Sequence, residues 1–198
     1  MSTEKRQGRP PRFDREAVLD TATDLFARHG YGGTSLSELV QTIGCTPPSL
    51  YNLFHSKEEL YLAVLDRYWT RANSGTQVEG RAWTLLEEYL QASLARFTKD
   101  RGPKGCLVLT GGFRESAEEQ ELVEDLRKKR RVALNTLIKL AIKAQEEGDL
   151  PRELDAPTWA RALFALLQGL ALQSMDGATL KDLKGGLSCF LRSTAVNP

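Results

Sequence analysis

Cysteine and histidine are scarce in this chain: three of the first and two of the second among 198 residues. Cys45, Cys106 and Cys189 are too scattered for a disulfide framework or a zinc spacing, and no metal or cofactor is expected. His29 and His55 belong to no H-E-x-x-H, and no glycine loop for phosphate or nearby Cys–His pair accompanies them, so the chain is not expected to be an enzyme. Long hydrophobic runs are missing as well. The most apolar stretch, Leu163 to Leu172, is interrupted by Gln168 and preceded by Arg161, too short to span a bilayer. The opening Met-Ser-Thr-Glu-Lys-Arg has no apolar core of a secretory signal, so the cytoplasm is the expected location and a membrane is not an expected partner. Alternating β-branched runs are also absent, which leaves helix as the dominant element.

A strong charge of one sign is lacking too. The net charge is +1, a weak argument against a nucleic-acid partner until its distribution is seen. Residues 1–12 carry Lys5, Arg6, Arg9 and Arg12 against Glu4, a flexible basic arm. Residues 13–60 carry three bases against seven acids. Attraction to phosphate is therefore expected from the arm and from Lys57, not from the bulk of the domain.

What the chain has in abundance is helix punctuation. A first helix is expected from about Asp14 to His29, with Val18, Leu19, Ala22, Leu25 and Phe26 on one face, stopped by Gly30-Tyr31-Gly32-Gly33. Ser35-x-x-Glu38 is a capping box, and Leu36, Leu39, Val40 and Ile43 follow at helical spacing. Gly44 supplies a turn with positive φ. Thr46 then caps a second short helix, with Pro47 in its first position, where the missing N–H costs nothing. Ser56-x-x-Glu59 repeats the capping box and starts a longer helix to about Ala72. Two short helices around a tight glycine turn, spanning 35–54, form a helix-turn-helix, which places its second helix in the DNA major groove.

Beyond Asn73-Ser74-Gly75 a helical bundle is expected. Its helices run over about 81–99, 106–114, from the Ser116 cap to about 148, from the Asp155 cap to about 175, and over 179–193. The fold class is all-α: an arm over 1–12, a three-helix DNA-binding domain over 13–73, and a bundle for ligand binding and dimerisation over 74–198. The helix at 156–175 is apolar nearly all round and must be covered on every side. Leu163, Leu166, Leu167 and Leu170 on it, with Leu183, Leu187 and Phe190 on the last helix, are the expected homodimer interface. The run Arg127-Lys128-Lys129-Arg130-Arg131 follows five acids on the same helix, and Glu124–Lys128 and Asp125–Lys129 pair at i,i+4, so an exposed charge-laced face is expected there.

Ala22, Phe26, Gly30-Tyr31-x-x-Thr34-Ser35, Leu39, Gly44, Pro48-Ser49-Leu50-Tyr51-x-x-Phe54 and Ser56-Lys57-Glu58-Glu59-Leu60 together resemble the TetR/AcrR family of bacterial transcription regulators. The resemblance covers residues 13–65. It implies a dimeric regulator, a repressor that binds a palindromic double-stranded operator and is released by a small-molecule or redox effector. The expected DNA-contacting residues are Arg9, Arg12, Thr34, Ser35, Thr46, Pro47, Pro48, Ser49, Tyr51, Asn52, His55 and Lys57. Pro47-Pro48 departs from the family pattern and leaves the reading helix poor in donors, so thymine methyls and the arm carry more of the readout.

An effector pocket in the bundle is implied by the same resemblance, with Trp69, Trp83, Tyr89, Phe97, Phe113 and Phe164 as aromatic candidates for its wall. Cys106 joins them. It follows Gly105 at an expected helix start near Arg101 and Lys104, where positive charge favours a thiolate that oxidants or α,β-unsaturated aldehydes would attack; a buried, unreactive cysteine is the commoner case and the preferred reading. A helical interaction module that does not bind DNA is the alternative, but it leaves the capped, uncharged second helix beside a basic arm unexplained.

Overall fold

The structure, a computed structural model, describes residues 14–74, 79–99, 104–111 and 120–194, and these are helical with no strand among them. α1 (Arg15–Gly33), α2 (Leu36–Ile43), α3 (Pro47–Leu53) and α4 (Lys57–Asn73) form the N-terminal domain. α5 (Ala82–Phe97), α6 (Leu107–Thr110), α7 (Gln120–Glu146), α8 (Ala156–Met175) and α9 (Leu180–Thr194) form the bundle.

Local chemistry sets most of these ends. Asp14, Ser35, Thr46, Ser56 and Asp155 each accept a backbone N–H from their own first turn. Gly44 takes the left-handed conformation (φ 74°) that turns α2 into α3. α1 is kinked at Gly30 (φ 72°, ψ 176°), so the glycine stop acts inside the helix and a last turn follows it. Both capping boxes close differently from the sequence reading. Glu38 reaches out to His29, 3.5 Å away, and Glu59 accepts from the His55 N–H (2.7 Å) and ring Nδ1 (2.9 Å), one residue before the cap. α5 is capped from a distance: Arg81 makes no side-chain cap, and the Ala82 N–H donates to Glu147 at the end of α7. α6 is only four residues, shorter than expected, and the Ser116 cap lies outside the described residues.

Two apolar cores result. The first gathers Val18, Leu19, Ala22, Phe26, Leu39, Leu50, Phe54, Leu60 and Val64, and it also takes in Leu107, Val108, Leu122 and Leu126 from the bundle. The second is built from α5, α7, α8 and α9 around Leu90, Leu94, Leu137, Trp159, Leu163 and Leu167. Leu109 belongs to the second core although Leu107 and Val108 belong to the first. α6 is thus wedged between the cores, and the half-buried Cys106 packs against both.

Candidate DNA-reading face and effector cleft

α3 is held by its apolar side. Leu50 and Phe54 are each 3% exposed, which leaves the opposite face outward. Pro47, Pro48, Tyr51 and Asn52 are exposed there, with Thr46, Ser35 and His55 around them. Ser49 is half-buried, and its hydroxyl shares a 2.9 Å hydrogen bond with the Thr46 hydroxyl, so each must break or share that bond to meet a phosphate. Arg9 and Arg12 lie outside the described residues.

Thr34 is a correction. It is fully buried, and its hydroxyl donates to the Gly30 carbonyl at 2.8 Å, closing the turn that the kink opens. It has no surface to offer DNA. Lys57 is only half available: its Nζ donates to the Thr34 carbonyl (2.9 Å) and stands 4.0 Å from the Tyr31 ring centroid. It ties the start of α4 to the α1–α2 corner, and any phosphate would share it.

Two residues were missed by sequence reasoning. Arg15, exposed at the start of α1, lies over the Phe54 ring at 5.0 Å and brings a cation beside the end of α3. Gln41 is exposed and lines a surface groove with Ser37 and Pro47, which places an amide donor next to a helix start that lacks donors. Arg15 had no signal, since only the fold puts it on Phe54. Gln41 had one: a long amide off the apolar spacing of α2, one turn before Gly44.

The acids of this domain are largely occupied. Arg67 Nε and Nη2 stand 2.8 and 2.7 Å from Glu16 and Asp20, close though not aligned as hydrogen bonds, and Arg71 Nη1 donates to Asp20 at 3.1 Å. Burial alone would raise the Asp20 carboxyl, but the two guanidiniums outweigh it and hold it below its ordinary value. His55 likewise holds Glu59 low by hydrogen bonding.

Behind this domain an open cleft of about 930 Å³ runs between the second half of α1, α4 and the segment Lys104–Gly111. A second, small cavity of about 30 Å³ adjoins it, walled by Trp69, Tyr89, Phe97, Cys106 and Phe164 among others. Five of the expected pocket residues therefore converge. Trp83 does not: its ring packs 6.2 Å from Trp159, and Phe97, 14 residues further along α5, is about 20 Å away by helical rise. Phe113 lies outside the described residues.

Cys106 caps α6 and borders both cavities. Lys104 is exposed in the cleft, Arg101 is outside the described residues, and a four-residue helix has little dipole to offer. The group at its side is Tyr68. Burial, with the neighbouring Cys106 adding to it, pushes the Tyr68 phenol well above its ordinary range, so it stays a protonated donor. Burial raises Tyr89 too, against the opposing charge of Arg96.

The basic run of α7 is not simply an exposed face. Lys129 is buried and its Nζ donates to Asp125 and, across to α4, to Asp66 at 2.6 Å. Arg130 Nη1 donates to the Val108 and Gly111 carbonyls, which clamps α6. For the expected pairing face, Leu163, Leu167, Leu170, Leu183 and Leu187 point into the protomer's own core, each at most 2% exposed, and Leu166 and Phe190 are half-buried. The apolar residues of α8 that face outward are Ala162, Ala165, Leu172 and Met175, with Gly169 half-buried among them. Buried leucines have no area left for a second copy.

The chain matches the family described as "Bacterial regulatory proteins, tetR family" over residues 18–64, and a "Tetracyclin repressor-like, C-terminal domain" over residues 83–180. It is 34% identical over 184 residues to the HTH-type transcriptional repressor ComR of Escherichia coli, covering 90% of this chain and 88% of ComR. It is 30% identical over 186 residues to the HTH-type transcriptional repressor NemR of the same organism, with 88% and 90% covered. Among solved structures it is similar to a cysteine mutant of the regulator CifR complexed with 26-bp operator DNA, with TM-score 0.84, 29% identity, and 94% of this chain and 100% of CifR covered. The reduced form of Escherichia coli NemR is similar with TM-score 0.73 and 26% identity, over 93% and 97% of the two chains.

Proposed function

The chain belongs to the TetR family of bacterial transcription regulators, which bind DNA and are not enzymes, and from that premise we propose a homodimeric repressor released from a palindromic operator by an effector acting at the Cys106 seam. Membership sets aside the interaction module without DNA. The observation that carries the reading is the outward face of α3, with Pro47, Pro48, Tyr51 and Asn52 exposed over a Leu50–Phe54 anchor. Operator-bound CifR supports DNA as the partner of that face, and the names of ComR and NemR support repression. No described helix is long and apolar enough to cross a membrane, and a cytoplasmic site of action accords with the DNA partner.

Release is proposed to run through α6. Cys106 touches both cores, and Arg130 and Lys129 bind α6 and α4 to α7, so a change in volume at Cys106 shifts α4 and with it the reading head. The test is fluorescence anisotropy with DNA from upstream of the adjacent gene. Nanomolar, palindrome-selective binding that weakens as salt rises is expected. Peroxide or crotonaldehyde should release the wild type and leave Cys106→Ser bound. A folded protein without sequence-selective binding at low salt refutes the repressor, and equal release of the variant refutes the Cys106 route.

A further inference from the structure

The open cleft is strongly basic. Its described lining holds Arg28, Arg67, Arg71, Arg96, Lys99 and Lys104 against two acids, Asp20 and Asp24, in a chain whose net charge is +1. Asp20 is already engaged with Arg67 and Arg71. Arg96 is different. It is half-buried, and its guanidinium donates only to neutral oxygens, the Ala72 carbonyl at 3.3 Å and the Ser93 hydroxyl at 3.0 Å; among the described residues it pairs with no carboxylate. A guanidinium withdrawn from water without a counter-charge favours an incoming anion.

A second group points to the same ligand. The Tyr68 hydroxyl is buried beside the Cys106 thiol, at best a weak acceptor, and no oxygen or nitrogen among the described residues pairs with it. An orphaned donor of this kind is costly to keep. Phe26, Tyr31 and Tyr61 lie behind the cleft with their rings packed against one another at 4.8 to 6.2 Å, and at 1%, 9% and 1% exposed they belong to the first core and leave the cleft surface to its polar groups.

We propose that the cleft binds a small organic carboxylate, its anion held between the Arg96 guanidinium and the Tyr68 hydroxyl. Binding is non-covalent and leaves Cys106 unmodified. This adds a non-covalent anion subsite beside the Cys106 route and rests on the regulator reading only for its consequence at the operator.

The experiment uses the full chain without DNA. Cinnamate, benzoate and 4-hydroxycinnamate are titrated while melting temperature and tryptophan fluorescence are followed, with cinnamamide as the neutral control. At least one acid is expected to saturate and raise the melting temperature, and the amide is not. Arg96→Met should weaken binding about tenfold or more, the loss of a charge-assisted pair. Tyr68→Phe should also weaken it while leaving the ligand-free protein as stable or more so, because it removes only an unpaired buried hydroxyl. A residue with a merely structural role would not give those opposite signs. Cys106→Ser should bind like the wild type. Failure of all three acids, equal binding of the amide, or unchanged affinity in both Arg96→Met and Tyr68→Phe overturns the proposal. Acid binding that persists while operator binding fails refutes the regulator reading and leaves the anion site standing.

Discussion

Neighbouring residues in the reading head do opposite jobs. Tyr51 is 44% exposed on the outer face of α3, whereas Thr34 is fully buried under the Gly30 kink. Tyr51→Ala is therefore expected to change stability by less than about 0.5 kcal/mol, as surface substitutions do. It should weaken operator binding about tenfold, the loss of one good contact in the groove. Thr34→Val should do the reverse. It removes the hydroxyl's hydrogen bond to the Gly30 carbonyl at a cost of about 1 kcal/mol, with operator affinity per folded molecule unchanged. Thermal melts and anisotropy on the two variants separate the roles, and equal losses of affinity would return Thr34 to the DNA face.

At the scale of elements, α6 and α7 join the two cores through polar contacts that the charge pattern did not reveal. Burial lowers the Lys129 ammonium, but hydrogen bonds and charge from Asp125 and Asp66 outweigh it and raise it above its ordinary value. Its contribution to stability is thus fully present below the unfolded pKa of about 10.4 and is lost as pH rises through the higher folded value. Lys129→Met should melt below the wild type at pH 8, and the gap should close as pH passes about 10.5. A gap that stays constant to pH 11 would show that the lysine acts by packing alone. The Asp20 clasp between α1 and α4 behaves oppositely: its contribution is present above about pH 3.9 and is lost as pH falls through the depressed value.

For the whole molecule, the proposed pairing of two reading heads needs an outward apolar face. Ala162, Ala165, Leu166, Gly169 and Leu172 recur on α8 at three- and four-residue spacing, and Leu172 is 54% exposed. Gly185 and Gly186 of α9 are exposed too, which lets a second backbone approach closely. Leu172→Glu is expected to shift sedimentation toward the monomer while the protomer stays helical. Leu163→Ala should instead destabilise the fold by about 2–5 kcal/mol, since it empties a fully buried site. A dimer that survives Leu172→Glu would place the pairing face elsewhere.

The sequence by itself determined the parts whose physics is local. Ser35, Gly44, Thr46, Pro47 and Ser56 set helix ends within a turn of themselves, so the helix-turn-helix and most element boundaries were legible from spacing alone. Helical periodicity likewise separated Leu50 and Phe54, which anchor α3, from Tyr51 and Asn52, which face out. Tertiary structure alone decided which apolar side of α8 is spent on the protomer's own core, because a helix apolar nearly all round carries no mark of inside and outside. It alone turned Lys129 and Arg130 inward and brought Tyr68, Arg96 and Cys106 to one cleft from three separate helices. Contacts between residues tens of positions apart depend on how cores pack, and no local pattern encodes them.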